Sequence, residues 1–275
     1  MMFSVLKIES NLIFVSMILN FKNANIFYTD EGKGTAVVLV HGFLENATMW
    51  DEIKPELIKR NRIITLDLLG HGKSDCLRYV HSVDVFAETI DAILKHLKIR
   101  KYILVGHSLG GYISLALAKI NPSKIKGLCL LNSTCYEDSE ERRELRTRAN
   151  KMVQKNFENM VKLSISNLFH QDNLSIYKNE ITKIKEDALQ TSLQGYIAAQ
   201  EGMKIRPDSI DFFKECTFKK MIVIGENDPV LNYEISIEEA KTTKSKYVVF
   251  PDGHMSHIEN KNEVIAVLKE FIRGC

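Results

Sequence analysis

Four short apolar runs punctuate the first half of the chain: residues 36–40, 62–66, 102–105 and 125–131. Each is rich in Val, Ile, Leu and Tyr and too short for an independent helix. They are continuous rather than alternating, which is the pattern of strands covered on both sheet faces. Helical spacing fills the gaps between them. Val83, Phe86, Ala87, Ile90, Ile93, Leu94 and Leu97 recur every three or four positions, so residues 83–97 read as an amphipathic helix. Residues 49–60 and the stretch after Gly111 read as two more. Upstream, residues 18–28 alternate apolar and polar around Lys22-Asn23-Ala24-Asn25, which predicts two antiparallel strands joined by a tight turn. Strand and helix in this rhythm predict an α/β fold: a mostly parallel central sheet with helices on both faces.

The rhythm breaks between Ser133 and Glu215, where no strand pattern is found. Leu145, Ala149, Met152 and Val153 form one helical stripe; Phe157, Met160, Val161, Ile165 and Leu168 form a second; Ile181, Ile184, Ala188 and Leu189 form a third. Alternation resumes with strands at 221–225 and 247–250 and helices at 234–241 and 264–273. The expected organisation is a core of residues 20–132 and 216–275, interrupted by a helical cap over 133–215. Because the cap leaves the sheet at a strand end, it should lie over the carboxyl edge as a lid, with Phe43, Leu44, Tyr196, Met203 and Met255 as candidates for its underside. The charges of both signs from Glu137 to Arg148 read as a solvated helix face. Residues 1–19 are set apart as an uncertain N-terminal extension. Lys7, Glu9 and Asn11 interrupt it too often for a membrane span, and no small-residue cleavage site follows its apolar part. A start at Met17 and a cytoplasmic location are expected.

The chemistry gathers where strands end. The strand 102–105 runs into Gly106-His107-Ser108-Leu109-Gly110, and a helix follows. A serine at a sharp strand-to-helix turn is held in a strained conformation and projects its hydroxyl clear of the sheet. Glycines two positions before and two after it answer the crowding in that turn. Amides at the start of the helix point to the same spot, where they can stabilise developing negative charge. The strand 36–40 ends in His41-Gly42-Phe43, which brings the amide of Phe43 to the same sheet edge. A serine hydroxyl needs a base, and the base needs an orienting carboxylate. Both are available on later strand ends: Glu226 and Asp228 after residues 221–225, and His254 and His257 after residues 247–250. His41 and His107 read as hydrogen-bonded packing residues. Asp67, in a glycine-rich turn, reads as a turn holder.

Composition narrows the classes further. A net charge of +2 over 275 residues gives no basis for nucleic-acid or stable membrane association, and a small-molecule substrate is the expected partner. Five cysteines with no Cys-x-x-Cys spacing argue against a disulfide framework or zinc cluster, and no histidine shows metal-ligand spacing. Neither metal nor cofactor is implied, and oligomeric state is not legible.

The joint occurrence of His41-Gly42-Phe43, Asp67-Leu-Leu-Gly-His-Gly-Lys-Ser74, Gly106-His-Ser-Leu-Gly-Gly111, Gly225-Glu-Asn-Asp228 and Gly253-His254 resembles the α/β-hydrolase superfamily over nearly the whole chain from Met17 onward. The resemblance implies that Ser108 is the nucleophile, Asp228 the orienting acid and His254 the base, with the amides of Phe43 and Leu109 forming the oxyanion hole. That family places its base directly after the glycine, which favours His254 over His257. Lys220 departs from the proline common at that position and leaves the triad unaffected. The implied activity is hydrolysis of a small carboxylic ester, lactone or thioester through an acyl-enzyme. Carbon–carbon hydrolysis, thioester elimination and perhydrolysis use the same fold, and a ligand-binding protein with vestigial turnover is the alternative from another class.

Overall fold

The computed structural model describes residues 16–275; residues 1–15, and with them most of the expected extension, lie outside the described residues. Eight strands form one sheet: β1 (Ser16–Phe21), β2 (Ala24–Gly32), β3 (Thr35–Val40), β4 (Asn61–Leu66), β5 (Tyr102–His107), β6 (Ile125–Leu131), β7 (Lys219–Gly225) and β8 (Lys246–Phe250). Their spatial order is β1-β2-β4-β3-β5-β6-β7-β8. The first two strands form the expected hairpin, and β2 meets β4 antiparallel; every later pairing is parallel. The α/β fold with a mostly parallel sheet is therefore as the apolar runs require.

Continuous apolar strands place alternate residues on opposite faces, and the core divides accordingly. Val38, Val40, Leu104, Leu128 and Ile222 join one cluster, while Val37, Leu39, Ile103, Val105, Cys129 and Met221 join the other. The helices, in chain order, are α1 (Lys54–Leu57), α2 (Val83–His96), α3 (Leu109–Ile120), α4 (Glu140–Val153), α5 (Phe157–Ser166), α6 (Lys178–Ala188), α7 (Leu193–Lys204), α8 (Ile210–Glu215), α9 (Tyr233–Thr242), α10 (Ser256–Glu259) and α11 (Lys261–Gly274). Phe86, Ile90 and Leu94 of α2 and Ile113 and Leu117 of α3 cover the first face; Leu268, Phe271 and Ile272 of α11 cover the second with Trp50, Ile53 and Leu57.

Residues 49–60 do not form the single helix their spacing predicts. A 3-10 turn (Ala47–Trp50) and the one-turn α1 replace it. Pro55 has no amide proton to continue an earlier turn, so a helix here carries the proline in its first turn rather than running through it. All five helices α4 to α8 lie between β6 and β7, two more than the apolar stripes indicate. Of these, α7 escapes the pattern because it contains Gly195 and Gly202 and is buried on most of its surface. Gly195 is required by close approach: a Cβ there would sit 2.1 Å from the carbonyl oxygen of Gly70. Leu44, Val161, Ile165, Phe169, Ile181, Tyr196 and Met255 make a separate apolar cluster that ties this inserted segment to the sheet edge. No helix among the described residues is long and apolar enough to cross a membrane.

Candidate active site

The turn between β5 and α3 holds Ser108 at φ 48°, ψ −115°. This positive φ is uncommon for any residue with a side chain and costs on the order of 1–3 kcal/mol, a strain that persists only where the surroundings over-determine it. The surroundings do so here. Ser108 N donates to Leu131 O at 3.0 Å, Gly111 N donates to Ser108 O at 2.9 Å, and Ser133 Oγ donates to Ser108 O at 2.7 Å. The turn is so tight that a Cβ on Gly106 would lie 2.3 Å from Gly110 O, which is the crowding expected from the sequence.

Phe43 and Leu109, the two residues nominated for their amides, flank this turn. Among the described residues neither N–H donates to an intramolecular acceptor, and Leu109 is fully buried. A first-turn helix amide such as that of Leu109 has no intrahelical partner, and with the Phe43 N–H beside the same serine the two donors are available to a substrate oxygen.

His254 is placed by its backbone as much as by its ring. Its N–H donates to Leu168 O at 2.9 Å, and its carbonyl accepts from His107 Nε2 at 3.0 Å. The ring Nδ1 lies 2.7 Å from Asp228 Oδ2. Asp228 is saturated by further donors: Val230 N at 2.8 Å and Leu231 N at 3.1 Å on Oδ1, and Asn132 Nδ2 at 3.3 Å on Oδ2. Burial alone would raise its pKa, but the charge and hydrogen bond of His254 and the two backbone amides bring it below the usual carboxylate value. An ionised Asp228 accepts a hydrogen bond from Nδ1–H, which in the neutral imidazole tautomer leaves the lone pair on Nε2. Ser108 and His254 line one cavity of about 90 Å³, although no hydrogen bond joins Ser108 Oγ to His254 Nε2 within 3.5 Å. Glu226, the rival acid, is exposed, and His257, the rival base, is buried and held near pKa 3 chiefly by burial.

A buried ion pair lies beneath the three pieces. Glu45 Oε2 accepts from Gly42 N at 2.6 Å and from His107 Nδ1 at 2.8 Å. His107 thus faces an acceptor at each ring nitrogen, a carboxylate and the carbonyl of His254, so both nitrogens carry protons and the ring is an imidazolium. Burial opposes its charge, but Glu45 and the His254 carbonyl outweigh it and raise its pKa. Burial likewise opposes the Glu45 carboxylate, and the charge of His107 brings it down to about 2. One carboxylate thereby connects the Gly42 turn, the Ser108 turn and the His254 loop. Glu45, His107 and His257 place donor atoms within 4.8 Å of one another, yet a doubly protonated His107 has no lone pair for a metal, and the trio fits an ion pair with a neutral neighbour better than a metal centre.

Several sequence readings change here. His41 does hold a strand end, accepting from Leu68 N at 2.9 Å through Nε2, and Asp67 holds its turn through Ala47 N and Lys73 N, both at 2.8 Å. Phe43, Leu44 and Met203 line the cavity, whereas Tyr196 and Met255 belong to the apolar cluster behind it. The charged stretch 137–148 is not wholly a solvated face: Arg142 and Arg146 turn inward and line the cavity. Glu45 and Asn132 were not singled out by the sequence; the one signal for Asn132 is its place directly after a buried strand at the same edge as Ser108, and it adopts φ 45° there. A larger cleft of about 560 Å³, lined by residues such as Thr48, Met49, Lys183 and Lys261, does not include Ser108, and the candidate chemistry lies in the smaller cavity.

The geometry defines a class, and comparison with known proteins agrees. The sequence profile of the alpha/beta hydrolase fold matches residues 35–261, and the chain belongs to this family. A thermophilic esterase from Thermogutta terrifontis, solved with malate bound, superposes with a TM-score of 0.88 at 28% identity, covering 94% of this chain and 98% of that one. The enol-lactonase from Burkholderia xenovorans superposes with a TM-score of 0.87 at 19% identity, over 94% of this chain and 100% of that one; at that identity the likeness is one of fold. By sequence, the (E)-2-((N-methylformamido)methylene)succinate hydrolase of Acinetobacter baylyi is 22% identical over 91% of this chain and 95% of its own length. Higher identity is confined to shorter stretches: 42% over 36% of this chain with the dihydrolipoyllysine-residue acetyltransferase component of an acetoin cleaving system from Pseudomonas putida, of which the match spans only 27%.

Proposed function

We propose that the chain is a serine hydrolase of small carboxylic esters, lactones or thioesters, with Ser108 as nucleophile, His254 as general base and Asp228 as its orienting acid. In this reading His254 Nε2 removes the Ser108 proton as Oγ attacks the carbonyl carbon. The oxyanion is met by the amides of Phe43 and Leu109, and collapse expels the alcohol, which takes the proton back from His254. Water activated by His254 then releases the acid and restores Ser108. Residues 133–215 serve as a cap over a core of 20–132 and 216–275, and the expected setting is cytoplasmic.

The observation that carries this reading is the strained Ser108 turn facing the same cavity as a histidine whose other nitrogen is committed to a buried carboxylate. Likeness to an esterase over nearly the full chain supports the reaction class. The test is covalent labelling with a fluorophosphonate, located by peptide mass spectrometry, alongside turnover of short-chain esters. Label on Ser108 with turnover abolished in Ser108→Ala is the expected result. Turnover that survives Ser108→Ala would overturn the assignment.

A further inference from the structure

Among the described residues, the cavity that contains Ser108 is lined by no aspartate or glutamate, and its only lysine or arginine side chains are Arg142 and Arg146. Their surroundings leave positive charge uncompensated. Arg146 bonds Asp138 through Nε at 2.5 Å and Gln200 Oε1 through a terminal nitrogen at 2.7 Å. Arg206 takes the other oxygen of the same Asp138 at 2.5 Å and stacks its guanidinium 4.0 Å from the Tyr112 ring centroid. Asp138 is thus used by two arginines. Arg142 pairs with no carboxylate among the described residues; the one hydrogen bond of its guanidinium runs from a terminal nitrogen to Val230 O at 3.2 Å. Three guanidiniums thus stand near one carboxylate, which pairs with only two of them.

Local rules disfavour Arg142 where it stands. It occupies the third position of α4, after the Ser139 cap, whose Oγ accepts from the Arg142 amide at 3.2 Å. A cation in a first helical turn opposes the helix dipole by a few tenths of a kcal/mol to about 1 kcal/mol. Burial and then Arg146 also press its pKa below the ordinary value; Tyr112 and Asp138 pull the other way, and Arg206 adds a smaller push down. Several local penalties at one position mark a residue kept for what it binds. A guanidinium with most of its five donors unspent, in a cavity free of acids, matches a planar anion.

We propose that the cavity takes a substrate bearing a free carboxylate, held by Arg142 while its ester, lactone or thioester carbonyl meets Ser108. Tyr112 also lines this cavity, and among the described residues its hydroxyl has no hydrogen-bond partner, so it supplies a second donor to the same anion. This inference rests on the serine hydrolase reading for the reaction but not for the binding.

The test pairs anionic and neutral esters in a pH-stat. Monomethyl glutarate against dimethyl glutarate puts the charge on the acyl side; 4-acetoxybutyrate against butyl acetate puts it on the alcohol side. The wild type is expected to prefer the anion of at least one pair in kcat/KM. Arg142→Met is expected to reduce that preference roughly 10- to 100-fold, the loss that a hydrogen bond to a charged group predicts, and Arg142→Lys to restore part of it. If Arg142 only clamps the Val230 loop, both members of each pair fall together and the preference is unchanged, which overturns the proposal. Titration calorimetry of glutarate on Ser108→Ala and on Ser108→Ala/Arg142→Met reads binding without turnover. Binding lost with Arg142 supports the subsite; no binding to Ser108→Ala, or equal binding to both, sinks it. Labelled Ser108 without an anionic preference defeats this inference alone, whereas glutarate binding that depends on Arg142 without labelling or turnover defeats only the serine hydrolase reading.

Discussion

Replacing Glu45 by glutamine keeps the size and the acceptor oxygen of the side chain but removes the charge that His107 answers. Glu45 is almost wholly buried, and its carboxyl stands near 2 against an ordinary value of 4.5. A depressed carboxyl contributes stability that is present above the ordinary pKa and lost as pH falls through the folded one. At 1.36 kcal/mol per pH unit the contribution is about 3 kcal/mol, and it should disappear between about pH 4.5 and 2. His107 has the opposite sign: its pKa is raised, so its share is complete below the ordinary histidine value and fades as pH rises through the raised one. The pair is therefore most useful between about pH 4.5 and 6.5. Glu45→Gln leaves a buried His107 without its counter-charge. His107 then releases a proton, and one of its two hydrogen bonds, to residue 45 or to the His254 carbonyl, is lost. Urea unfolding followed by circular dichroism checks the arithmetic. With a slope near 3 kcal/mol/M, the Glu45→Gln midpoint at pH 5.5 should fall by about 1 M, and the deficit should shrink toward zero at pH 2. A deficit under ~0.5 kcal/mol at pH 5.5, or one of equal size at both pH values, would refute the ion-pair account. His107→Asn should cost much less in the Glu45→Gln background than in the wild type, because the partners couple.

Other sites give shorter tests. Ser108→Gly relieves a left-handed backbone and should raise the thermal midpoint, by the equivalent of about 1 kcal/mol, while ester turnover is lost; an unchanged or lower midpoint would contradict the strain argument. Gly195→Ala drives a methyl against Gly70 O and should destabilise by about 1–3 kcal/mol, read from chemical denaturation. Asn132→Asp sets a second carboxylate beside Asp228, replacing a 3.3 Å hydrogen bond with repulsion. The Asp228 pKa should rise, and the acid side of the kcat/KM profile should move to higher pH; a profile that stays in place would show that Asn132 does not govern Asp228.

How far the sequence discloses this protein depends on whether a residue's role follows from its neighbours in the chain. The sheet was legible because residues such as Val37 and Val38 must face opposite clusters, and only a continuous apolar run satisfies both. The Ser108 turn was legible because the glycines that its geometry requires are themselves local. Three kinds of feature were hidden. Pro55 splits the 49–60 segment, and periodicity does not register a missing amide. Helix α7 packs glycine against glycine, so close backbone approach stands where an apolar stripe would otherwise mark the helix. The charged groups were hardest, because the same residue type serves a solvated face and a buried site. In α4, Arg148 pairs with Glu144 on the exposed face, whereas Arg146, two positions earlier, is buried against Asp138. Arg142 and Arg146 lie four apart, hence on one face, but the sequence does not say which face of α4 meets the cavity. That is set by Asp138 and Arg206, which lie 68 residues apart in the chain and are joined by a 2.5 Å contact. Ser108, Asp228 and His254, each at the end of its own strand, were thus visible in sequence, while Glu45, Asn132 and the arginines lining the cavity take their places through contacts between segments far apart in the chain.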